Sequence, residues 1–136
     1  MKKITFLVVC FFVWQANAQV INLDPNFKWA LLYSHPEIDA NGDGDIDVSE
    51  ANAVTTLHFM MIANMADLVY FPNVKHFECQ AIEGQSIDLS MLSQLEYVSF
   101  NDFGAGIQVI NLAGLANLKH VDVGGASIST LDVSAS

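Results

Sequence analysis

The chain has 136 residues, with five lysines and no arginine against fifteen acidic residues, for a formal net charge of −10. So acidic a surface is a poor match for nucleic acid or anionic membranes and a good one for divalent cations. A chain of this length buries one modest core, as one compact unit or a short elongated one.

The first residues read as an export signal. Lys2 and Lys3 form a basic start, Ile4 to Trp14 is a nearly unbroken apolar run, and Ala16-Asn17-Ala18 puts small residues where a signal peptidase cuts. Residues 1–18 are thus predicted to be a cleavable signal peptide, removed before Gln19. The apolar run has 11 residues, whereas a membrane-spanning helix needs about 20. Leu7-Val8-Val9-Cys10 is not a lipidation site, because Val9 is too bulky for the residue expected before a lipidated cysteine. The processed chain keeps Lys28, Lys75 and Lys119 against all fifteen acids, a charge of −12. It also keeps one cysteine, Cys79, so an intrachain disulfide is excluded and a buried, small apolar role is expected. Periplasmic, surface-attached and released destinations stay open.

Residues 19–53 are predicted to form a helix–loop–helix cap. Asp24 suits the N-cap and Pro25 the first helical position, with Phe27, Ala30, Leu31 and Tyr33 on one face and a stop before Pro36. The next segment runs Asp39-Ala40-Asn41-Gly42-Asp43-Gly44-Asp45-Ile46-Asp47-Val48-Ser49-Glu50. It satisfies every position of the EF-hand calcium loop. Calcium takes six to eight oxygens, so one tight turn must deliver carboxylates and carbonyls together. Asp39, Asn41 and Asp43 supply alternating side-chain oxygens, and Gly44 permits the left-handed backbone that wraps the ion. Asp45 offers its backbone carbonyl, Asp47 acts directly or through water, and Glu50 closes the shell. Ile46 points inward. Ser49 is expected to cap a short helix from Glu50 to Val54. Only one such loop occurs, although these loops usually pair, so it must lean on another part of the chain.

Residues 54–136 repeat with a period of 20 to 23 residues. Val54–Phe59, Val74–Cys79, Leu95–Phe100 and Leu118–Val123 all fit apolar-x-x-apolar-x-apolar, the strand signature of leucine-rich repeats. A second apolar column follows in Ile87-Asp88-Leu89, Ile110-Asn111-Leu112 and Leu131-Asp132-Val133, with Met65 and Leu68 near that place in the first unit. An ordinary mixed α/β domain fits less well, since no long helical period follows residue 55.

The order of signal, short helix, calcium loop and repeats resembles internalin-like secreted bacterial leucine-rich-repeat proteins, with Ile87-Asp88-Leu89-Ser90 and Leu131-Asp132-Val133-Ser134 similar to their second-strand motif. The resemblance spans Asp24 to Ser136 and implies an α/β solenoid of three to four repeats with a parallel concave sheet. One departure stands out. The family's asparagine after the first strand is replaced by Ile82, Phe103 and Ala126, with Asn101 close by in the third unit.

On such a sheet the residues between the inward apolar positions form columns. Thr56, His76, Tyr97 and His120 make one, and His58, Glu78, Ser99 and Asp122 the next. His76 and His120 stand two rungs apart, about 9.6 Å at usual strand spacing, too far for a shared zinc ion. No Gly-x-Ser-x-Gly, His-Glu-x-x-His or phosphate-binding glycine loop occurs, and Gly104-Ala105-Gly106 and Gly124-Gly125 fit turns. The expected function is therefore non-catalytic: an exported, calcium-binding recognition module for an extracellular protein or glycan. A dockerin-like calcium-dependent docking module and a non-catalytic part of a larger secreted enzyme remain as alternatives. The final repeat lacks a polar cap, so either further repeats or edge-to-edge self-association is expected.

Overall fold

The computed structural model describes residues 19–82, 84, 86–101, 107–124 and 128–136. The expected signal peptide, Phe103, Ala126 and the expected glycine turns other than Gly124 lie outside the described residues.

The chain coils into a parallel-sheet β-solenoid of about 3 turns. The first strand column builds a four-stranded sheet from β1 (Thr56–Phe59), β2 (His76–Cys79), β4 (Tyr97–Asn101) and β6 (His120–Gly124). The second builds a three-stranded sheet from β3 (Ser86–Asp88), β5 (Val109–Asn111) and β7 (Thr130–Asp132). All pairings are parallel and unslipped: Leu57, Phe77, Val98 and Val121 stack in one column, and Ile87, Ile110 and Leu131 in another. A slip of one residue would turn each inward side chain to solvent, which is what holds the register.

Both sheets close on one apolar core. A line of buried rings runs along it, with centroids 5.8 Å apart for Phe27–Phe59 and 6.0 Å for both Phe59–Phe77 and Phe77–Phe100. Phe27 lies on the N-terminal helix, so the cap and the repeats share this core. Cys79 is buried in it, as its small apolar character suggested. Burial falls off at the last rung, where Leu131 and Val133 are 43% and 45% exposed while Ile110 and Leu112 one rung earlier are fully buried.

Among the described residues, α-helices are confined to the N-terminal part: α1 (Pro25–Ser34) and α2 (Val48–Ala53), with a short 3-10 turn at Pro36–Ile38. Among the described residues of the repeats, a 3-10 helix, Ala66–Tyr70, occupies the first unit where later units place a second-sheet strand. No helix among the described residues is long and apolar enough to cross a membrane. Asp24 caps α1 by accepting from the amides of Asn26 and Phe27. Phe27, Ala30 and Leu31 are buried as expected, but Tyr33 is exposed and stacks on Trp29 with centroids 5.2 Å apart.

The bends after the second-sheet strands are satisfied by short polar side chains. Asp88, Asn111 and Asp132, in register on the second sheet, each accept the amide two residues on, from Ser90, Ala113 and Ser134. Asparagines placed before the first strand also tie rungs together: Asn73 donates to the Asn52 carbonyl and Asn117 to the Ser93 carbonyl. Short polar side chains can replace backbone partners at turns, and their amide forks can bridge neighbouring coils.

Candidate functional site

Two regions carry the chemistry singled out in the sequence, the loop Asp39–Glu50 and the outer face of the four-stranded sheet.

The loop closes on itself through its carboxylates. Asp39 accepts from the amides of Gly42 and Asp43 on Oδ1 and of Gly44 on Oδ2. Asn41 Oδ1 accepts from Asp43, and Asp43 Oδ1 from Asp45, both at 2.8 Å. Gly44 has φ +81°, a backbone region that a Cβ would strain. Glu50 folds back across the loop. Its Oε1 lies 2.9 Å from the Ala40 amide and its Oε2 3.0 Å from that of Asp47. The last position of the loop is therefore already joined to its second, and Glu50 is buried.

Asp45 turns its side chain away to Lys28, with Oδ1 2.6 Å from Nζ. Ile46 is fully buried. Asp47 is the N-cap of α2, not Ser49: Asp47 Oδ1 accepts from the Ser49 and Glu50 amides, and the Glu50 side chain returns to the Asp47 amide, completing a capping box. The Ser49 hydroxyl, followed by the Glu50 amide, holds the Asp47 carboxyl below the usual carboxylate range. A carboxylate at N-cap outcompetes the serine two residues on because it can serve two free amides at once.

The support that a lone loop needs comes from the segment just after the expected cleavage site. Val20 bridges Asp47 in antiparallel fashion, with the Ile21 amide 2.8 Å from the Ile46 carbonyl and the Val48 amide 3.0 Å from the Gln19 carbonyl. Sequence inspection missed this pairing, because Gln19-Val20-Ile21 has no partner motif. The alternating apolar character of Ile21 and Leu23 was the only available signal.

Among the described residues, no group of three or more His, Cys, Asp or Glu side chains comes together in a way that could hold a metal ion. The loop's donors include the Asn41 amide oxygen and the Asp45 carbonyl, and its carboxylates face backbone amides. An ionised carboxylate has about four lone-pair sites, so even Asp39, which accepts three amides, keeps capacity for a hard cation. The donor set, all oxygen with several negative charges, is of the chemistry that calcium takes.

The predicted face columns coincide with the rungs. Thr56, His76, Tyr97 and His120 are register partners, as are His58, Glu78, Ser99 and Asp122. Seven of these eight side chains are at least partly exposed; Ser99 is 5% exposed and offers almost no surface, its short side chain lying below longer neighbours. Tyr97 separates the two histidines, with centroids 5.6 Å from His76 and 4.7 Å from His120, the latter pair stacked with ring planes nearly parallel at 3°. The rings thus form a ladder along the sheet face. Beside it Glu96 bridges Lys75 and Lys119, and the Lys119 ammonium, first by hydrogen bond and then by charge, lowers the Glu96 carboxyl below its ordinary range. His58 Nδ1 is 3.8 Å from Glu78 Oε2.

The fold defines the protein's class as a β-solenoid with a short N-terminal helical part. No family model, curated protein or solved structure matches this chain.

Proposed function

We propose that this is an exported, non-catalytic recognition module of internalin-like character. One calcium ion at Asp39, Asn41, Asp43, Asp45, Asp47 and Glu50 stiffens its N-terminal cap, and the outer sheet face holds an extracellular protein or glycan. The observation that carries the calcium reading is the return of Glu50 to the Ala40 amide, which brings the two ends of an oxygen-rich loop together with Gly44 at the bend. Asp45 uses its side chain on Lys28, which leaves its carbonyl for the ion. The N-terminal Val20–Asp47 bridge supplies the backing that a second loop gives in paired sites.

For the face, support comes from in-register columns of polar and aromatic side chains on a rigid sheet. A repeated array of this kind suits an extended partner, because successive rungs present side chains at intervals of about 4.8 Å. Titration calorimetry with calcium chloride on the processed chain tests the first half: one bound ion is expected, and a flat titration overturns it. Glycan and secreted-protein arrays test the second. Binding should be lost when Tyr97 and His120 are both changed to alanine, with calcium binding retained, and unchanged binding by that variant would remove the face from the reading.

A further inference from the structure

The junction between the cap and the repeats contains a hydrogen bond that only a neutral imidazole can make. β1 is the first strand of its sheet, so alternate amides along its outer edge have no neighbouring strand to donate to. The His58 amide is one of these, and it donates to His35 Nε2 at 2.8 Å. His35 closes α1 as its C-cap, and its ring is held on the other side by Glu37, whose Oε1 lies 2.9 Å from Nδ1. That contact keeps the proton on Nδ1 and leaves Nε2 as the acceptor. The ring also sits edge-on against Phe59, with centroids 6.4 Å apart at 81°, and its side chain is only 14% exposed. His35 thus takes the place of the missing strand at the sheet edge.

We infer that His35 is a proton-released latch joining the helical cap to the first rung of the solenoid. A second proton would put an N–H on Nε2 facing the His58 N–H, two donors with no acceptor between them. The ring must then swing away and the edge amide loses its partner. The stability contributed by the latch is present while the ring is neutral and is lost as the pH falls. Groups facing the ring include Glu37 on the 3-10 turn, Tyr33 on α1, and His58 of β1 with its neighbour Glu78 of β2. Glu37 attracts a charged ring but bonds Nδ1 in both protonation states, so it does not restore the lost acceptor. Trp29, Tyr33, Met60 and Met61 are also exposed, but the His35 contact is the one whose chemistry dictates a response.

The test is amide hydrogen exchange on the nitrogen-15-labelled processed chain in constant excess calcium, between about pH 7.5 and pH 5.0, the range over which imidazoles change charge. Protection of the His58 amide, corrected for intrinsic exchange and referred to the inward Phe77 amide, should fall about tenfold or more, a loss comparable to about one tenfold step in an opening equilibrium. His35→Gln, whose amide oxygen accepts without titrating, should keep its protection constant across that range. A long-range proton–nitrogen spectrum at the higher pH should show His35 Nε2 as the unprotonated nitrogen. A protonated Nε2 at that pH would overturn the latch even if no variant folds. So would protection independent of pH in the unmutated chain, or an equal fall in His35→Gln.

Discussion

Replacing Glu50 by alanine separates its two duties, because the calcium-free and calcium-bound proteins should respond differently. Without calcium, the Glu50 carboxylate accepts from the Ala40 and Asp47 amides and completes the capping box of α2 from a buried position. Hydrogen bonds to charged groups contribute about 1.5–3 kcal/mol and a helix cap about 0.5–2 kcal/mol. These contributions overlap here, so Glu50→Ala should cost about 2–3 kcal/mol in chelator. Asp43 is exposed and its side chain accepts one local amide, so Asp43→Ala should cost less than about 1 kcal/mol there. With calcium at about 10 mM and an affinity of about 10⁻⁴ to 10⁻³ M, as in extracellular modules, the unmutated chain gains about 1.4–2.7 kcal/mol. For a domain of this size that is a rise in Tm of about 4–13 °C. Both variants should lose most of this rise, but only Glu50→Ala should begin from a lower chelator baseline. Differential scanning calorimetry of the three proteins in calcium and in chelator reads all six melting temperatures. Equal melting of the unmutated protein in both conditions refutes calcium binding, and a Glu50→Ala baseline equal to the parent refutes the structural duty.

Further outcomes follow from other parts of the molecule. Ile21→Pro removes the amide that reaches the Ile46 carbonyl. It should weaken calcium binding about tenfold, about 1.4 kcal/mol by calorimetry, and an unchanged affinity would free the loop of its N-terminal support. Phe77→Ala, in the middle of the ring line and fully buried, should cost about 3–5 kcal/mol in a urea melt; a cost under about 1 kcal/mol contradicts the packing. Hydrogen bonds from the Ser90 hydroxyl and amide hold the Asp88 carboxyl low, and those from the Ser134 amide and hydroxyl do the same for Asp132. Their contribution is therefore present above the ordinary aspartate range of about 3.9 and lost as the pH falls through the folded values. Urea midpoints should drop below about pH 4, and Asp88→Ala should flatten that drop. The outer edges of β6 and β7 and the half-exposed Leu131 and Val133 should drive self-association of the 19–136 chain in light scattering, which a stable monomer at high concentration would exclude.

Much of the repeat region was legible because its physics is local and periodic. An apolar side chain two or three positions from the next, recurring every 20 to 23 residues, can be buried only by stacking rung on rung. The columns read from Val54 to Val123 accordingly match the strand register residue by residue. The second column was equally clear from Ile87, Ile110 and Leu131. The first unit was less so: Met65 and Leu68 sit in a 3-10 helix region without a paired strand. The bend chemistry after the second-sheet strands was not read from the sequence: Asp88, Asn111 and Asp132 each accept the amide two residues on.

By itself the sequence determined which residues must point inward, where the oxygen-rich loop lies, and which side chains share an outer column, since each follows from spacing along one stretch of chain. Tertiary structure alone decided the contacts between stretches whose spacing carries no common period. Gln19–Ile21 was brought to the back of the oxygen-rich loop because the loop's Ile46–Val48 backbone needed a hydrogen-bonded neighbour. Asp47 displaced Ser49 as the cap because of where α2 begins, and Ser99 sank beneath its column because its neighbours are longer. His35 met the His58 amide because the first strand of an open sheet has an unpaired edge, and the chain offered a neutral ring nitrogen where another strand would have lain.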